Sequence, residues 1–252
     1  MIGGSTRTDG QELYIFVTSA RPDPYVNVLA HVLRTRPISS VHYISIREHG
    51  YSAEQVNDRL ISITAGIHAY LHSLRDRLAA DDKPAAAVYE KCLDKLDSIS
   101  TSNEVIPWVE LDEKLKIFST TGSSIFDVTS LKKNLLVDVV SLLLSRGCIR
   151  VYNFELLKSP NYDESDLIHA LDESEFTYRS LGDSRHVEIA RKRMLANFLT
   201  LRQLSFVTAG VALSVLVIQA FFGSTWLQTF VTVLGTATSI AGFLFFIIRN
   251  AK

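Results

Sequence analysis

The feature that most constrains this chain is a pair of charge-free apolar runs near its carboxyl end. Residues 204–222 read LSFVTAGVALSVLVIQAFF and residues 230–248 read FVTVLGTATSIAGFLFFII, and neither run contains Asp, Glu, Lys or Arg. Each run has about 19 residues, close to the ~20 that cross a ~30 Å hydrocarbon core as a helix. The short connector carries Trp226, a residue typical of membrane interfaces. The sequence therefore predicts an antiparallel transmembrane hairpin over 204–252.

Basic residues flank this hairpin and are absent from its connector. They are Arg191, Lys192, Arg193 and Arg202 before the first run, and Arg249 and Lys252 after the second. Because positively charged flanks stay on the cytoplasmic side, we expect two spans with both termini in the cytoplasm.

The rest of the chain alternates between patterns typical of strands and patterns typical of helices. Strands are predicted over 13–20, 40–48, 104–111, 123–129 and 148–156, with a sixth over 176–181, and helices over 53–79, 85–96 and 131–145, besides one that begins at Pro24 with Asp23 as its N-cap. Strands separated by helices indicate an α/β fold with a mostly parallel sheet and helices on both faces.

The composition also suggests how the chain is divided. Residues 1–11 are polar and read as a loose tail, and 12–184 hold the predicted cytosolic α/β domain. Residues 185–203 form a basic segment with no Gly or Pro, so we expect one helix to connect the domain to the hairpin. The formal net charge is -1, so we expect no duplex nucleic acid partner, and any anion site must be local.

The first candidate site is the segment VTSARPDP, residues 17–24. Thr18, Ser19 and Arg21 follow the first predicted strand, and a helix begins almost at once. Free N–H groups and a partial positive charge make a helix N-terminus suitable for phosphate. The alternative is an ordinary capped loop without a ligand.

The second candidate site is the segment DVTSLKKN, which begins at Asp127. We expect Thr129 or Ser130 to cap the next helix, which leaves Lys132 and Lys133 in its first turn. Two cations at this end oppose the helix dipole unless an anion offsets them. The segment therefore favours an anion site, and the alternative is two solvated lysines on an exposed turn.

This second segment resembles the D-h-T-G-G-T-K pattern of CARF domains, the Rossmann-like sensors of cyclic oligonucleotides in prokaryotic CRISPR immunity. Asp127, Thr129 and Lys133 match that pattern, whereas Ser130 and Leu131 stand at its two glycine positions. The 17–24 loop is similar to the CARF loop that contacts ligand. The resemblance covers about 12–156 as architecture, and its specific motif is a few residues long.

The resemblance implies a non-enzymatic effector in the inner membrane, with no cofactor besides its ligand. A cyclic oligonucleotide second messenger binds the cytosolic domain, and the hairpins then disrupt or depolarise the bilayer. Homodimers or higher homo-oligomers are expected, with the apolar 131–145 helix as a candidate dimer face. Two alternatives remain open: a membrane-anchored nucleotide hydrolase with Asp127 or Glu48 as its acid or base, and a membrane scaffold without a ligand.

Overall fold

The computed structural model describes residues 10–120 and 122–189, together with Gly235. The chain divides into two units, Met1–Ile189 and Ala190–Lys252, and the elements below belong to the first. The strands are β1 (Gln11–Phe16), β2 (Ile38–Arg47), β3 (Ser100–Pro107), β4 (Ile125–Asp127), β5 (Val151–Leu156) and β6 (Phe176–Ser180). The helices are α1 (Asp23–Thr35), α2 (Ala53–Asp81), α3 (Lys83–Ser98), α4 (Leu111–Ser119) and α5 (Lys133–Ser145).

The six strands form one sheet in the order β3-β2-β1-β4-β5-β6. Strands β1 to β5 pair in parallel, and β6 pairs antiparallel with β5. This is the strand order of the Rossmann fold, whose order reverses between β1 and β4. The predicted mostly parallel α/β sheet is confirmed, and so is the sixth strand.

Helices cover both faces of the sheet because successive strand side chains point to opposite sides. Leu13 and Ile15 of β1 belong to a core with α1, α2 and α3. Tyr14 and Phe16 belong to a second core with α4 and α5. The near-continuous apolar strands of the sequence reflect this two-sided burial.

The structure differs from the sequence prediction mainly after β3. The run that we expected to remain extended to residue 111 leaves the sheet at Pro107 and continues through a 3₁₀ turn, Trp108–Glu110, into α4. No helix was predicted there, because α4 has only nine residues and follows the strand without a polar loop. Proline ends the strand since it has no N–H for the ladder.

Three helix starts also differ from the prediction. Helix α3 begins at Lys83, two residues before the predicted start at 85. Helix α1 begins at Asp23, with Pro22 rather than Asp23 at the N-cap and no side-chain cap. Helix α5 begins at Lys133, with Lys132 at the N-cap. The expected caps Thr129 and Ser130 therefore do not cap α5, since their hydroxyls are used in other contacts.

The face of α5 that does not contact the sheet is only partly covered within the described unit. Leu135, Val139 and Leu143 are buried, whereas Val137 is 63% exposed. The helix that we named as a candidate dimer face is thus buried on one side by its own chain. That a second copy of the chain covers the other side of α5 stays a prediction.

The predicted membrane hairpin lies outside the described residues, as do most of the connecting segment 185–203 and residues 1–9. Residues 185–189 are helical. Within 10–120 and 122–189, no helix combines the length and the apolar character needed to cross a membrane.

Candidate functional site

The predicted site residues all lie at one edge of the sheet. Strands β1, β2, β4 and β5 run parallel, so the loops that follow them meet at the edge formed by their carboxyl ends. In open α/β sheets, ligands bind at this edge, next to the point where the strand order reverses. Here that point lies between β1 and β4.

Two loops at this edge are joined by hydrogen bonds between Thr18 and Ser130. The Thr18 hydroxyl donates to the Ser130 carbonyl oxygen, and the Thr18 N–H lies 3.4 Å from Ser130 Oγ. Ser130 Oγ in turn donates to the Phe16 carbonyl oxygen at 2.5 Å. These contacts, which we call the Thr18–Ser130 latch, hold the β1–α1 loop against the β4–α5 loop.

The Tyr25 hydroxyl fixes the conformation of the β1–α1 loop. It accepts hydrogen bonds from the N–H groups of Thr18 (3.2 Å) and Ser19 (2.9 Å) and donates to the Ser19 carbonyl oxygen (2.9 Å). Burial raises the pKa of Tyr25, which keeps its hydroxyl protonated and able to donate. The N–H groups of Thr18 and Ser19 are therefore used within the protein.

The start of α1 also offers fewer free N–H groups than predicted. The N–H groups of Tyr25 and Val26 both donate to the Pro22 carbonyl oxygen, at 3.1 and 3.0 Å, and Pro24 has no N–H. Anion binding at this end of α1 therefore depends on side chains more than on the backbone.

Lys132 forms an ion pair with Glu48, with 2.7 Å between Nζ and Oε1. The prediction was that an outside anion must offset two lysines in the first turn of α5. The structure corrects the basis of that prediction, because Lys132 precedes the helix and the offsetting carboxylate belongs to the loop after β2. Lys133 is exposed and forms no ion pair with any residue in the described part of the chain.

A cleft of about 460 Å³ opens beside this ion pair, between the ends of β1 and β2 and the first turns of α2. We call it the β2 cleft. Its charged residues are Lys132, Arg59 and Glu48, two cations against one carboxylate. Its other lining residues are Val17, Thr18, Ser45, Ile46, Gly50, Tyr51, Gln55, Val56, Leu60 and Ile63. The lining combines an apolar floor with a few polar groups, as small-molecule sites do.

Arg59 is the functional candidate that sequence reasoning missed. Its Nη2 donates to the Thr18 carbonyl oxygen at 3.4 Å, which places a cation beside the latch. The available signal was its position early in a helix that follows a strand, one turn after Gln55. Sequence reasoning placed Arg59 within the helix predicted over 53–79 and gave it no role.

A second cleft, of about 390 Å³, lies on the other side of the latch, where α1 begins and β5 ends. We call it the β5 cleft. It is lined by the predicted site residues Arg21 and Thr129, and the Arg21 guanidinium stacks on the Tyr162 ring at 4.6 Å from the ring centroid. The predicted site residues are thus not gathered in one site. Thr18 and Lys132 line the β2 cleft, and Arg21 and Thr129 line the β5 cleft. The other four line neither: Ser19, Asp127, Ser130 and Lys133.

Asp127 lies beneath this edge and is only 1% exposed. Its carboxylate accepts hydrogen bonds from the Thr129 N–H (3.1 Å) and hydroxyl (3.0 Å), and Thr129 Oγ1 accepts from the Phe154 N–H at 2.8 Å. Burial raises the pKa of Asp127 to about 7, and the bonds from Thr129 oppose that rise. Asp127 lines neither cleft, so in this structure it positions Thr129 and the loop.

The fold and the site define a Rossmann-like α/β domain with two clefts at the carboxyl edge of its sheet. Comparison of the chain with models of protein families gave no match, and comparison with curated proteins gave none either.

Proposed function

We propose that this protein is a membrane effector whose cytosolic α/β domain binds a cyclic oligonucleotide second messenger. Binding at the carboxyl edge of the sheet drives the hairpin at 204–252 to disrupt or depolarise the membrane. The setting implied by the resemblance to CARF domains is prokaryotic antiviral immunity, at the inner membrane. The ligand acts as a signal and is not turned over.

The observation that carries this proposal is the β2 cleft with its two cations. Lys132 and Arg59 come from separate elements and line one cleft beside the point where the strand order reverses. A phosphate group there gains charge-assisted hydrogen bonds from both. Glu48 already neutralises Lys132 in part, so an incoming phosphate must share or displace that carboxylate.

The size of the β2 cleft supports a ligand that extends beyond one protomer. A volume of about 460 Å³ is in the range of ligand pockets, roughly 300–1,000 Å³, and suits one nucleotide unit more than a whole cyclic oligonucleotide. The remaining units then lie outside this cleft, in the β5 cleft or against a second copy of the chain. The second of these arrangements requires the proposed homodimer or higher homo-oligomer.

The link from the domain to the membrane is proposed to be helical. Strand β6 ends at Ser180, residues 185–189 are helical, and 185–203 contain no Gly or Pro that would interrupt a helix. A continuous helix transmits a displacement of the domain to the first span. The basic residues of this segment keep it on the cytoplasmic side.

A nucleotide hydrolase is the second candidate, and one observation favours it: Glu48 lines the β2 cleft and carries a carboxylate that a bound nucleotide can reach. Asp127, the other predicted acid or base, is buried away from both clefts. A general base must lie within hydrogen-bond reach of the proton that it abstracts, so Glu48 is the stronger candidate for this chemistry. If the protein is instead a scaffold without a ligand, substitution of Glu48 or Asp127 should leave its function unchanged.

The test uses the full chain in liposomes loaded with a fluorescent dye, supplied with a panel of cyclic oligonucleotides that differ in ring size and base. The proposal expects dye release by at least one of them, with the ligand recovered intact. Lys132→Ala should raise the half-maximal ligand concentration about tenfold, the ~1.4 kcal/mol of one charge-assisted contact. Lys116→Ala, an exposed lysine of α4, is the matched control. Sealed liposomes throughout the panel would refute the proposal, and turnover of the ligand would favour the hydrolase.

A further inference from the structure

The β5 cleft differs from the β2 cleft in the charge of its lining. Four carboxylates and two cations line it, Asp23, Glu155, Asp163 and Asp166 against Arg21 and Lys158. The β2 cleft has two cations and one carboxylate. A negatively charged lining repels phosphate and favours a neutral or cationic group that is rich in hydrogen-bond donors.

One of these carboxylates has an oxygen without a partner. Asp166 is 5% exposed, and its Oδ2 accepts a hydrogen bond from the Tyr162 N–H at 2.6 Å. Its Oδ1 is buried and accepts no hydrogen bond from any residue that the structure describes. Because buried carboxylate oxygens are normally satisfied, this atom is suited to a donor that comes with a ligand.

The two nearby cations are committed to other contacts. Lys158 Nζ lies 3.2 Å from the Ser165 carbonyl oxygen and 3.2 Å from Glu175 Oε1. The Arg21 guanidinium stacks on the Tyr162 ring. Neither is a hydrogen-bond donor to Asp166, so the missing donor is not supplied by these side chains.

Tyr162 adds an aromatic surface to the same cleft. It is 67% exposed although Arg21 covers part of its ring. An exposed aromatic ring backed by a guanidinium is a stacking platform for a flat heterocycle. Tyr162 also has a left-handed backbone, with φ of 60°, and its N–H binds Asp166, so the platform and the unsatisfied oxygen lie next to each other.

We infer that the β5 cleft is a nucleobase subsite that takes a base with an exocyclic amino group, adenine or cytosine. The amino group donates to Asp166 Oδ1, and the ring stacks on Tyr162. Only one oxygen of Asp166 is free, which disfavours guanine, whose adjacent N–H donors call for both carboxylate oxygens. This inference rests on the proposed function for the phosphates, which lie on the β2 side of the latch.

The experiment compares two nucleosides on the full chain in lipid nanodiscs by saturation-transfer NMR. Adenosine carries the amino group, and purine riboside lacks it. Neither carries a phosphate, so neither depends on the β2 cleft. The expected result is that adenosine binds about tenfold more tightly than purine riboside, which leaves Asp166 Oδ1 unpaired.

Two pairs of variants separate the subsite from general damage to the fold. Asp166→Asn keeps an oxygen for the Tyr162 N–H but places an NH₂ where Oδ1 was, so it should abolish the preference for adenosine. Asp172→Asn makes the same change at an exposed carboxylate that lines neither cleft and should preserve it. Tyr162→Asn removes the ring, while Asn tolerates the left-handed backbone, and should reduce binding about tenfold. Tyr162→Phe should retain binding.

Equal binding of the two nucleosides, no binding of either, or equal affinity of Tyr162→Asn and Tyr162→Phe would each overturn this inference. The proposed function has its own test, since cyclic oligonucleotide binding that depends on Lys132 can survive the loss of the base subsite. Conversely, the protein could bind adenosine through Asp166 and yet be activated by no cyclic oligonucleotide. That result would support the subsite and count against the proposed function.

Discussion

The Thr18 N–H lies 3.4 Å from the Ser130 hydroxyl oxygen, although the two residues are 112 positions apart in the chain. This contact connects the loops after β1 and β4, the two strands between which the sheet order reverses. Thr18 also lines the β2 cleft, whereas Thr129, next to Ser130, lines the β5 cleft. The latch therefore joins the loops whose residues line the two clefts.

Loss of the Thr18 hydroxyl should weaken this link. In Thr18→Val the Ser130 carbonyl oxygen loses its donor, and the expected cost in free energy of unfolding is about 1 kcal/mol. Thr18→Ser keeps the hydroxyl and is the control. Chemical denaturation of both variants checks this, and equal stabilities would show that the hydroxyl contributes nothing measurable.

Two buried tyrosines should respond oppositely to the same substitution. Tyr25→Phe removes a hydroxyl with three backbone partners and should destabilise the fold by roughly 1–3 kcal/mol. The Tyr43 hydroxyl is buried and has no hydrogen-bond partner among the described residues, so Tyr43→Phe should be neutral or stabilising. Thermal denaturation of the two variants side by side measures the difference. Similar losses in both would contradict the role assigned to Tyr25.

Asp127 should make stability fall as pH rises. Burial raises its pKa from 3.8 to about 7 in the folded protein, so between these values the unfolded chain is ionised while the folded chain keeps its proton. Unfolding then releases a proton, and the free energy of unfolding decreases across this window and levels off above it.

The variant Asp127→Asn cannot ionise and should lose this pH dependence. Relative to wild type it should gain stability from about pH 4 to about pH 8, by an amount on the order of 4 kcal/mol for a shift of this size. Urea denaturation at several pH values gives the slope for each protein. Parallel slopes would mean that Asp127 does not titrate in this window.

The two lysines before and at the start of α5 should differ in their effect on ligand binding. Lys132 lines the β2 cleft, whereas Lys133, which matches the lysine of the CARF pattern, lines neither cleft. The geometry favours Lys132→Ala as the more damaging change, by about tenfold in affinity. Titration of an active cyclic oligonucleotide against both variants ranks them. A larger loss for Lys133 would support the alignment with the CARF motif over the geometry.

Glu48→Gln distinguishes the sensor from the hydrolase. If Glu48 only competes with phosphate for Lys132, its removal frees that cation, and affinity for the cyclic oligonucleotide should rise several-fold. The expected effect shrinks at high salt because exposed charges are screened. If Glu48 is a general base, the variant binds ligand but loses turnover. Binding and product formation measured on the same preparation separate the two outcomes.

Much of the fold follows from patterns that are local in the chain. The spacing of Leu60, Ile67, Leu71 and Leu74 predicts α2, and these side chains are indeed buried in the core. The apolar runs through Leu13–Phe16 and Val41–Ile46 predict β1 and β2. These patterns are visible in the sequence because a helix buries one apolar stripe, whereas a strand of this sheet buries both of its faces. Helix α4 was missed since a nine-residue helix has too few turns to show its period.

The sequence by itself determined that this domain alternates strands and helices and that polar residues gather after the first and fourth strands. Only the tertiary structure decided what those residues contact. Glu48 and Lys132 pair across 84 positions, Arg59 reaches Thr18 from another element, and Asp127 is buried beneath the edge that it was expected to line. Local periodicity reports which face of an element is apolar, but strand order brings distant loops together, and no short-range pattern in the chain encodes that order.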